Sequence, residues 1–301
     1  MNSKSDKMID TNIKDVFISQ VQYKSCGMTV VSCKNNFDFY ISKRGKNIYG
    51  LGTDVVYGHG YTACHSICLV GGSMLGLEGI CGINQMLVDA IGTLATNSGG
   101  AIGACCYTWN IFNNDYTHPD VKLGKFAFNN QKKQLLIGNV GAGVNTRVGK
   151  LYADWKEQAQ VGGQGCAYFE KDKMKCFCIV VLNSLGVVHE NGKLLHDFKI
   201  KNKVITNIKD MPVTSLMKTG TNCPKNTTLV IFLTNVKYSE KKMKSFAESL
   251  NDVVESMIYP YGTYYDGDTF FFASSNEIKA NKNYLVDYKN VVRDAIKSPF
   301  G

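Results

Sequence analysis

The hydrophobic residues of this chain fall into short apolar runs and longer amphipathic segments, which predicts an α+β fold. Short apolar runs bounded by polar residues or glycine are typical of buried strands. We therefore expect strands at residues 29–32, 66–70, 133–137, 176–182, 228–233 and 269–273.

Longer segments repeat their apolar residues at spacings of three and four, which indicates amphipathic helices. The first follows Gly76 and should end near Asn97-Ser98-Gly99-Gly100, where glycine favours a helix stop. The second covers about residues 239–258, and the third covers about residues 288–297. No internal repeat or low-complexity linker interrupts the sequence, so a single domain is expected over residues 1–301.

The composition is that of a soluble globular protein, with 44% hydrophobic and 20% charged residues. No apolar run approaches the roughly 20 residues that cross a bilayer, and the polar N-terminus lacks the apolar segment of a signal peptide. The 11 cysteines form no Cys-x-x-Cys pair, so neither a zinc site nor a disulfide framework is expected. These features predict a cytoplasmic protein without a metal, a cofactor or a membrane partner.

The net charge of +9 raises the question of nucleic-acid binding. The lysines are scattered, and no aromatic and basic recognition motif accompanies them. The cluster Lys241-Lys242-Met243-Lys244 falls on the second predicted helix, with its charges on the solvated face. We therefore expect no nucleic-acid partner and at most a modest preference for anionic molecules.

The segment Asn226-Thr227-Thr228 stands at the head of an apolar run and suits nucleophilic chemistry. A threonine hydroxyl needs a base, and a threonine at a new N-terminus carries one in its own α-amino group. That amine titrates at about 7.7–8 in unperturbed chains, close to working pH. The same hydroxyl could first attack the preceding carbonyl and cut the chain after Asn226. For this segment alone, a strand that simply begins with Asn-Thr-Thr remains the alternative.

Several short sequence words, taken in order, resemble those of one enzyme family. They are Gly27-Met28-Thr29-Val30, residues 70–77, His118-Pro119-Asp120, residues 138–143, Val148-Gly149-Lys150-Leu151, residues 180–183, residues 226–230 and Asp266-Gly267-Asp268-Thr269. Their order and spacing resemble the L-aminopeptidase/D-esterase family, which includes β-aminopeptidases, and the 6-aminohexanoate-oligomer endohydrolase (nylon oligomer hydrolase) branch looks closest. The resemblance covers about residues 26–296.

This resemblance implies a four-layer αββα sandwich of the N-terminal-nucleophile hydrolase type. It also implies self-cleavage between Asn226 and Thr227, which would give an α subunit of residues 1–226 and a β subunit of residues 227–301. Thr227 would then head a central strand as the catalytic nucleophile. The relatives form symmetric oligomers, so a homo-oligomer, commonly a tetramer of αβ units, is expected.

The resemblance also implies catalytic partners for the nucleophile. Asn183 matches the family's catalytic asparagine, which would polarise the substrate carbonyl or hold the oxyanion. Lys150 matches the lysine whose cation could lower the pKa of the nucleophile's amine, and Lys156 is a second candidate for that role. Asp266 and Asp268 match the carboxylates that orient the nucleophile. Judged without the resemblance, the residue types alone favour a strand cap for Asn183, a solvated side chain for Lys150 and a polar turn at Asp266 and Asp268.

Substrate contacts are implied at two further words. Ser73 belongs to the Gly-Gly-Ser word, and Leu75 occupies the neighbourhood in which many relatives carry an aromatic residue. Gly141 and Gly143 lie in a glycine-rich turn that would let the backbone approach the substrate. This turn lacks the Gly-Lys-Ser/Thr ending of a phosphate loop, so no nucleotide site is expected.

Together these features predict an amide hydrolase that works through an acyl-enzyme: an aminopeptidase or amidase, with nylon oligomer hydrolysis as one option for its substrate range. The expected substrates are short peptides, β-peptides or ω-amino-acid oligomers. Two alternatives remain open from the sequence. One is an acyltransferase of the ornithine acetyltransferase-like type, and the other is an inactive relative that serves as a binding protein.

Overall fold

A computed structural model of the chain describes residues 8–54, 63–92, 99–108, 115–151, 159–200, 203–211 and 226–301. Its strands are β1 (Met8–Asp10), β2 (Val16–Tyr23), β3 (Cys26–Gly45), β4 (Gly50–Leu51), β5 (Ala63–Val70), β6 (Ala101–Cys105), β7 (Gln134–Leu136), β8 (Arg147–Val148), β9 (Gln160–Val161), β10 (Gln164–Lys171), β11 (Met174–Asn183), β12 (Val187–Glu190), β13 (Lys193–Ile200), β14 (Lys203–Asn207), β15 (Thr227–Lys237), β16 (Ile258–Tyr259) and β17 (Gly267–Lys279). Its α-helices are α1 (Glu78–Ile91), α2 (Val121–Asn129), α3 (Glu240–Glu255) and α4 (Leu285–Lys297).

The largest sheet is built around the three apolar strands β11, β15 and β17. Its hydrogen-bonded order is β10-β11-β15-β17-β3-β5-β6-β4, and β2 also pairs with β3. β15 and β17 run parallel, as do β5 and β6, whereas the other neighbouring pairs are antiparallel. A smaller sheet is ordered β14-β13-β12-β16; its strands β12 to β14 follow β11 in the chain, and β16 follows α3.

The long strand β3 joins the two parts of the large sheet. Its first part pairs with β2 and β5, and its last part pairs with β17. The register with β5 shifts between Ser32 and Phe37, where Asn36 has a φ of 68°. Such an irregularity bends a strand and increases its twist. One strand can therefore leave the first part of the sheet and enter the second.

Three of the four apolar cores formed by the described residues separate the four layers of the fold, and the fourth lies beside the smaller sheet. Side chains alternate across a sheet, so neighbouring residues of each central strand enter different cores. Phe232 and Phe272 pack with α3 and α4. Ile231 and Phe271 face the other way, into a core shared with β3, β5 and β6. A third core lies between the outer face of β3, β5 and β6 and the helices α1 and α2. The predicted four-layer αββα sandwich is confirmed.

The helix α1 requires a correction to the sequence analysis. Together with the turn before it, α1 forms the helical segment Ser73–Ile91, whose 19 residues are long and apolar enough to cross a membrane. The expectation that no segment approaches this length was therefore wrong. The buried residues Ile80, Ile83 and Leu87 of this segment pack against the sheet, as those of a core helix do.

Five of the six predicted strands lie within observed strands, whereas the one predicted at residues 133–137 is shorter in the structure, at Gln134–Leu136; all three predicted helices exist with shifted ends. The described part of the first helix ends at Ile91 and is followed by Gly92 at a φ of 59°, while its predicted end over residues 97–100 lies partly outside the described residues. Helix α2 was not predicted. It has only 9 residues, and its start is fixed by the Asp120 side chain, which accepts the Leu123 N–H at 2.8 Å.

Two histidines hold the hairpin of β12 and β13 as hydrogen-bond acceptors. His196 Nε2 accepts the Val188 N–H at 3.1 Å, and His189 Nδ1 accepts the Gly192 N–H at 3.3 Å. A ring nitrogen can accept only while it carries no proton. Burial lowers the pKa of both histidines below the ordinary 6.5, because it disfavours the charged imidazolium. The hairpin is therefore built for neutral histidines.

We expect the stability of the fold to fall as the pH drops below about 6.5, the ordinary histidine pKa. Because the folded pKa of His196 is lowered, the unfolded chain takes up its proton first, so the stabilisation is complete above pH 6.5 and is lost as pH falls through the folded value. His196→Phe should cost about 1–3 kcal/mol at pH 7.5, since the Val188 N–H loses its acceptor. Urea unfolding at several pH values measures both effects. The loss of stability in His196→Phe relative to the native sequence should be smaller at pH 5. His118→Phe, at a partly exposed position, serves as the control. A loss of stability that is the same at every pH would contradict the expectation.

Candidate active site

The register of three neighbouring strands brings the predicted catalytic residues together. In the antiparallel pair β11 and β15, Asn183 lies directly opposite Thr227, so the two side chains project from the same face of the sheet. β15 runs parallel to β17, and a bridge pairs Asn226 with Asp266 just before the two strands begin. Three segments that are distant in sequence therefore meet at one edge of the central sheet.

Thr227 is nearly buried, and its hydroxyl contacts the peptide bond that precedes it. Only 5% of the residue is exposed. Its Oγ1 donates to the carbonyl oxygen of Asn226 at 2.5 Å. A pocket opens beside this pair, and its lining residues are Asn47, Tyr49, Ser73, Cys105, Tyr107, Asn226 and Thr227. The hydroxyl thus lies against a carbonyl group and at the wall of a pocket.

The side-chain amide of Asn183 is held by three partners. Its Oδ1 accepts the Arg147 N–H at 3.1 Å and the Lys150 Nζ at 3.0 Å, and its Nδ2 donates to the Tyr107 carbonyl at 3.0 Å. These contacts fix which end of the amide carries the nitrogen, because two donors meet one end and an acceptor meets the other. A primary amide has two N–H groups, so a second remains to donate to a bound group.

Lys150 is buried beside Asn183 and holds it from a second direction. Its Nζ donates to the Asn183 backbone carbonyl at 2.8 Å as well as to the side chain. Burial lowers the pKa of this amine from 10.5 to about 7, although the charges of Asp266 and Asp268 act in the opposite direction. The backbone around it is fixed, since the Lys150 N–H donates to the Leu185 carbonyl at 2.8 Å.

Asp266 and Asp268 are both 1% exposed and are bound mainly by backbone N–H groups and a threonine hydroxyl. Asp268 accepts the Thr228 N–H at 2.5 Å and the Gly262 N–H at 3.1 Å. Asp266 accepts both the N–H and the hydroxyl of Thr263, at 2.9 and 2.7 Å. Burial raises the pKa of both carboxyl groups, and for Asp268 the charge of Asp266 raises it further.

The loop that supplies these donors is anchored to helix α3. Tyr261 donates its hydroxyl to Asn251 Oδ1 at 2.7 Å, and Asn251 Nδ2 donates to the Ser42 hydroxyl at 2.9 Å. Asn251 is fully buried, on the apolar face of α3. The sequence does place Asn251 on the apolar face of the second predicted helix, so its structural role could have been recognised there, but the sequence analysis did not single it out.

Of the substrate-binding residues predicted from the resemblance, one lines the pocket and three lie apart from its described lining. Ser73 lines the pocket. Leu75 lies two residues further along the same turn with 48% of its surface exposed, and it is not among the lining residues in the described part of the chain. Gly141 and Gly143 form a buried turn packed on Thr29 and Gln164, also apart from the described lining.

Other functional candidates were not found from the sequence. Two tyrosines, Tyr49 and Tyr107, line the pocket from segments that no motif singled out. Arg147 and Tyr107 contact Asn183 through backbone atoms, which leave no side-chain signal in a sequence. Lys156, the second candidate for the lysine, lies outside the described residues. Among the described residues, no three His, Cys, Asp or Glu side chains are grouped as a metal site would require.

Comparisons with known proteins show which proteins this chain resembles in sequence and in fold. No family model matches the chain. It is 28% identical over 235 residues to the 6-aminohexanoate-oligomer endohydrolase of Kocuria sp. (strain KY2), a match that covers 73% of this chain and 62% of the relative. The chain therefore spans less than two thirds of the length of that curated relative.

Solved structures show the same fold at lower identity. The Burkholderia sp. beta-aminopeptidase superposes with a TM-score of 0.66 at 10% identity, over 97% of this chain and 88% of the other. The L-aminopeptidase D-Ala-esterase/amidase of Ochrobactrum anthropi, described as a variant of the Ntn hydrolase fold, gives 0.62 at 15% identity, over 95% and 82%. The resemblance predicted from the motifs is thus confirmed, and the chain has the fold of these N-terminal-nucleophile hydrolases.

We expect Lys150 to titrate near pH 7, because its burial disfavours the ammonium form. Lysine side chains labelled with ¹³C at Cε can be followed by NMR across pH 5–11. One resonance should shift with a midpoint near 7, well below the ordinary lysine pKa of about 10.4. Lys150→Met should remove that resonance and leave the others, which provides its assignment. A spectrum in which every lysine titrates above pH 9 would show that Lys150 is charged at neutral pH.

Proposed function

We propose that this protein is a self-processing amide hydrolase whose nucleophile is Thr227. The proposal rests chiefly on one contact, the hydrogen bond of 2.5 Å between Thr227 Oγ1 and the carbonyl oxygen of Asn226. It is supported by the surrounding Asn183, Lys150, Asp266 and Asp268, which are the residues that the resemblance implies. The amide-hydrolase names of the similar proteins support the same reaction class.

In the maturation step, Thr227 Oγ1 attacks the carbonyl carbon of Asn226. The C–N bond between the two residues breaks, the hydroxyl proton passes to the departing nitrogen, and an ester joins the Asn226 carbonyl to the Thr227 oxygen. Water then hydrolyses the ester. The products are a carboxylate at Asn226 and a free α-amine and hydroxyl at Thr227.

In turnover, the new α-amine of Thr227 acts as the base for its own hydroxyl. The hydroxyl attacks an amide carbonyl of the substrate, the amine product leaves, and water releases the acyl group. Asn183 Nδ2 would donate to the oxyanion that forms at this carbonyl. A nearby ammonium lowers the pKa of the Thr227 amine and a nearby carboxylate raises it, so Lys150 and the carboxylate pair together set the working pH.

The lining of the pocket supports an uncharged substrate segment next to the nucleophile. Apart from Asn226 and Thr227, its described residues are two tyrosines, an asparagine, a serine and a cysteine, and none of them is an aspartate, glutamate, lysine, arginine or histidine. Short peptides, β-peptides and ω-amino-acid oligomers offer such segments. Leu75 stands where many relatives have an aromatic residue, so 6-aminohexanoate oligomers are one member of this group rather than the assigned substrate. A homo-oligomer of αβ units is part of the same proposal.

Self-cleavage is expected to depend on the Thr227 hydroxyl. The native sequence should give two fragments on denaturing mass spectrometry, and the second should begin with Thr227. Thr227→Ala should remain a single chain of 33.3 kDa, because no nucleophile is present. Thr234→Val, which removes another buried threonine hydroxyl from the same strand, should still be cleaved. Cleavage of Thr227→Ala at the same bond would remove the threonine from the mechanism.

Turnover is expected to depend on the side-chain amide of Asn183. Asn183→Ala should lower the kcat of processed protein by roughly 10²–10³-fold, the loss typical of one oxyanion donor. Asn235→Ala is the matched control, since Asn235 is also buried and its side-chain amide also binds two backbone groups, but it lies on β15 away from Thr227. The assay uses β-amino acid anilides and 6-aminohexanoate oligomers, each corrected for the cleaved fraction. Equal losses in both variants would mean that Asn183 is only structural, and acyl transfer to an added amine in preference to water would indicate an acyltransferase.

A further inference from the structure

The carbonyl group at the proposed cleavage site is already bound by a backbone donor. The Asn226 oxygen accepts the Gly267 N–H at 3.0 Å in addition to the Thr227 hydroxyl at 2.5 Å. These two donors differ in what the reaction does to them. The hydroxyl loses its proton when its oxygen attacks, so it cannot stabilise the product of its own attack. The Gly267 N–H keeps its proton throughout.

We propose that the Gly267 backbone N–H is the oxyanion donor for self-cleavage, a role separate from that of Asn183 in turnover. This inference rests on the proposed function of Thr227. As Oγ1 bonds to the Asn226 carbon, the carbonyl electron pair moves onto its oxygen, against the waiting N–H. When the C–N bond breaks and the ester forms, the pair returns and the proton resides on the Thr227 nitrogen. A donor placed before the reaction stabilises this charge without reorganisation.

The peptide unit that carries this N–H is hydrogen-bonded on both sides. The carbonyl of Asp266 belongs to the same peptide group as the Gly267 N–H, and it accepts the Asn47 N–H at 2.9 Å. Hydrogen bonds in such a chain polarise one another, so a bond to the carbonyl strengthens the N–H as a donor. Asn47 also donates its side-chain amide to the Tyr265 carbonyl at 3.3 Å. The segment of Asn47 therefore both positions and polarises the donor.

Glycine is required at position 267 by the same contact. A Cβ atom on Gly267 would lie 2.1 Å from the Asn47 carbonyl oxygen, a distance that no side chain tolerates. Both groups are backbone, so neither can turn aside as a flexible side chain would. The closeness of the Asn47 backbone holds the start of β17 against Asn226, and a glycine between the two buried aspartates allows it.

The test removes the N–H without adding a side chain. Glycolic acid is introduced at position 267 by nonsense suppression in cell-free translation, which converts the peptide bond into an ester. Self-cleavage is followed by intact mass over time after synthesis. The rate should fall by roughly 10²–10³-fold, as for the loss of other oxyanion donors.

A second ester separates the chemical role from support of the sheet. Lactic acid at position 273 removes an N–H from the same strand β17, away from Asn226. Melting curves of both esters in a Thr227→Ala background give their effects on stability. The inference holds if cleavage is slowed only by the ester at 267 while both melt at similar temperatures. It is overturned if the ester at 267 cleaves at the native rate, or if both esters slow cleavage equally. If Thr227→Ala itself is cleaved, the proposed function fails and the role of Gly267 fails with it.

Discussion

The pairing register of β11, β15 and β17 is the constraint on which the rest of the site depends. A slip of one residue in a strand moves every side chain to the opposite face. A slip of β15 would therefore turn Thr227 away from Asn183 and send Ile231 and Phe232 into the wrong cores. Both faces of the central strands pack against a dense apolar core, so side chains placed on the wrong face would not fit the side chains around them. The packing of the two cores thus fixes the geometry of the chemistry.

The interior that fixes this geometry also determines the charge of the site. Lys150 and the carboxyl groups of Asp266 and Asp268 are buried, and their pKa values shift in opposite directions, the amine downward and the carboxyls upward. Both shifts favour the neutral form, as expected where water is excluded. Backbone N–H groups such as those of Thr228 and Gly262 compensate Asp268 in part. The site therefore places an amine whose pKa is lowered to about 7 beside two carboxyl groups whose pKa values are raised.

The sequence predicts those strands whose apolar pattern is continuous, and it misses those whose pattern is interrupted by polar residues. The central strands were predictable because strands buried on both faces are continuous apolar runs. The full length of β3 was not, because Lys34-Asn35-Asn36 interrupts its pattern at the irregularity, and the hairpin of β12 and β13 carries too many polar residues to stand out.

The candidate site also has a part that the sequence predicts and a part that it does not. The side chains implied by the resemblance do meet beside Thr227, but the backbone donors and acceptors around them could not be predicted. The N–H groups of Gly267 and Arg147 belong to no motif of side chains, and they depend on which segments the fold brings together. Leu75, Gly141 and Gly143 lie outside the described pocket lining, because membership of a sequence word says nothing about which way a turn faces.

The position of the proposed cut within the sheet has a consequence for folding. Residues 227–301 supply β15 and β17, which lie side by side in the middle of the large sheet, between β11 and β3 of the preceding segment. A cut before Thr227 would leave two polypeptides that share one core. They could separate only by breaking the hydrogen bonds between β11 and β15 and those between β17 and β3. Folding of the intact chain is unimolecular, whereas reassembly of separated pieces would depend on their concentration. Maturation would then make folding irreversible, because the chain folds as a single polypeptide before the cut. After the cut, the lifetime of the folded protein is set by the barrier to unfolding rather than by a folding equilibrium.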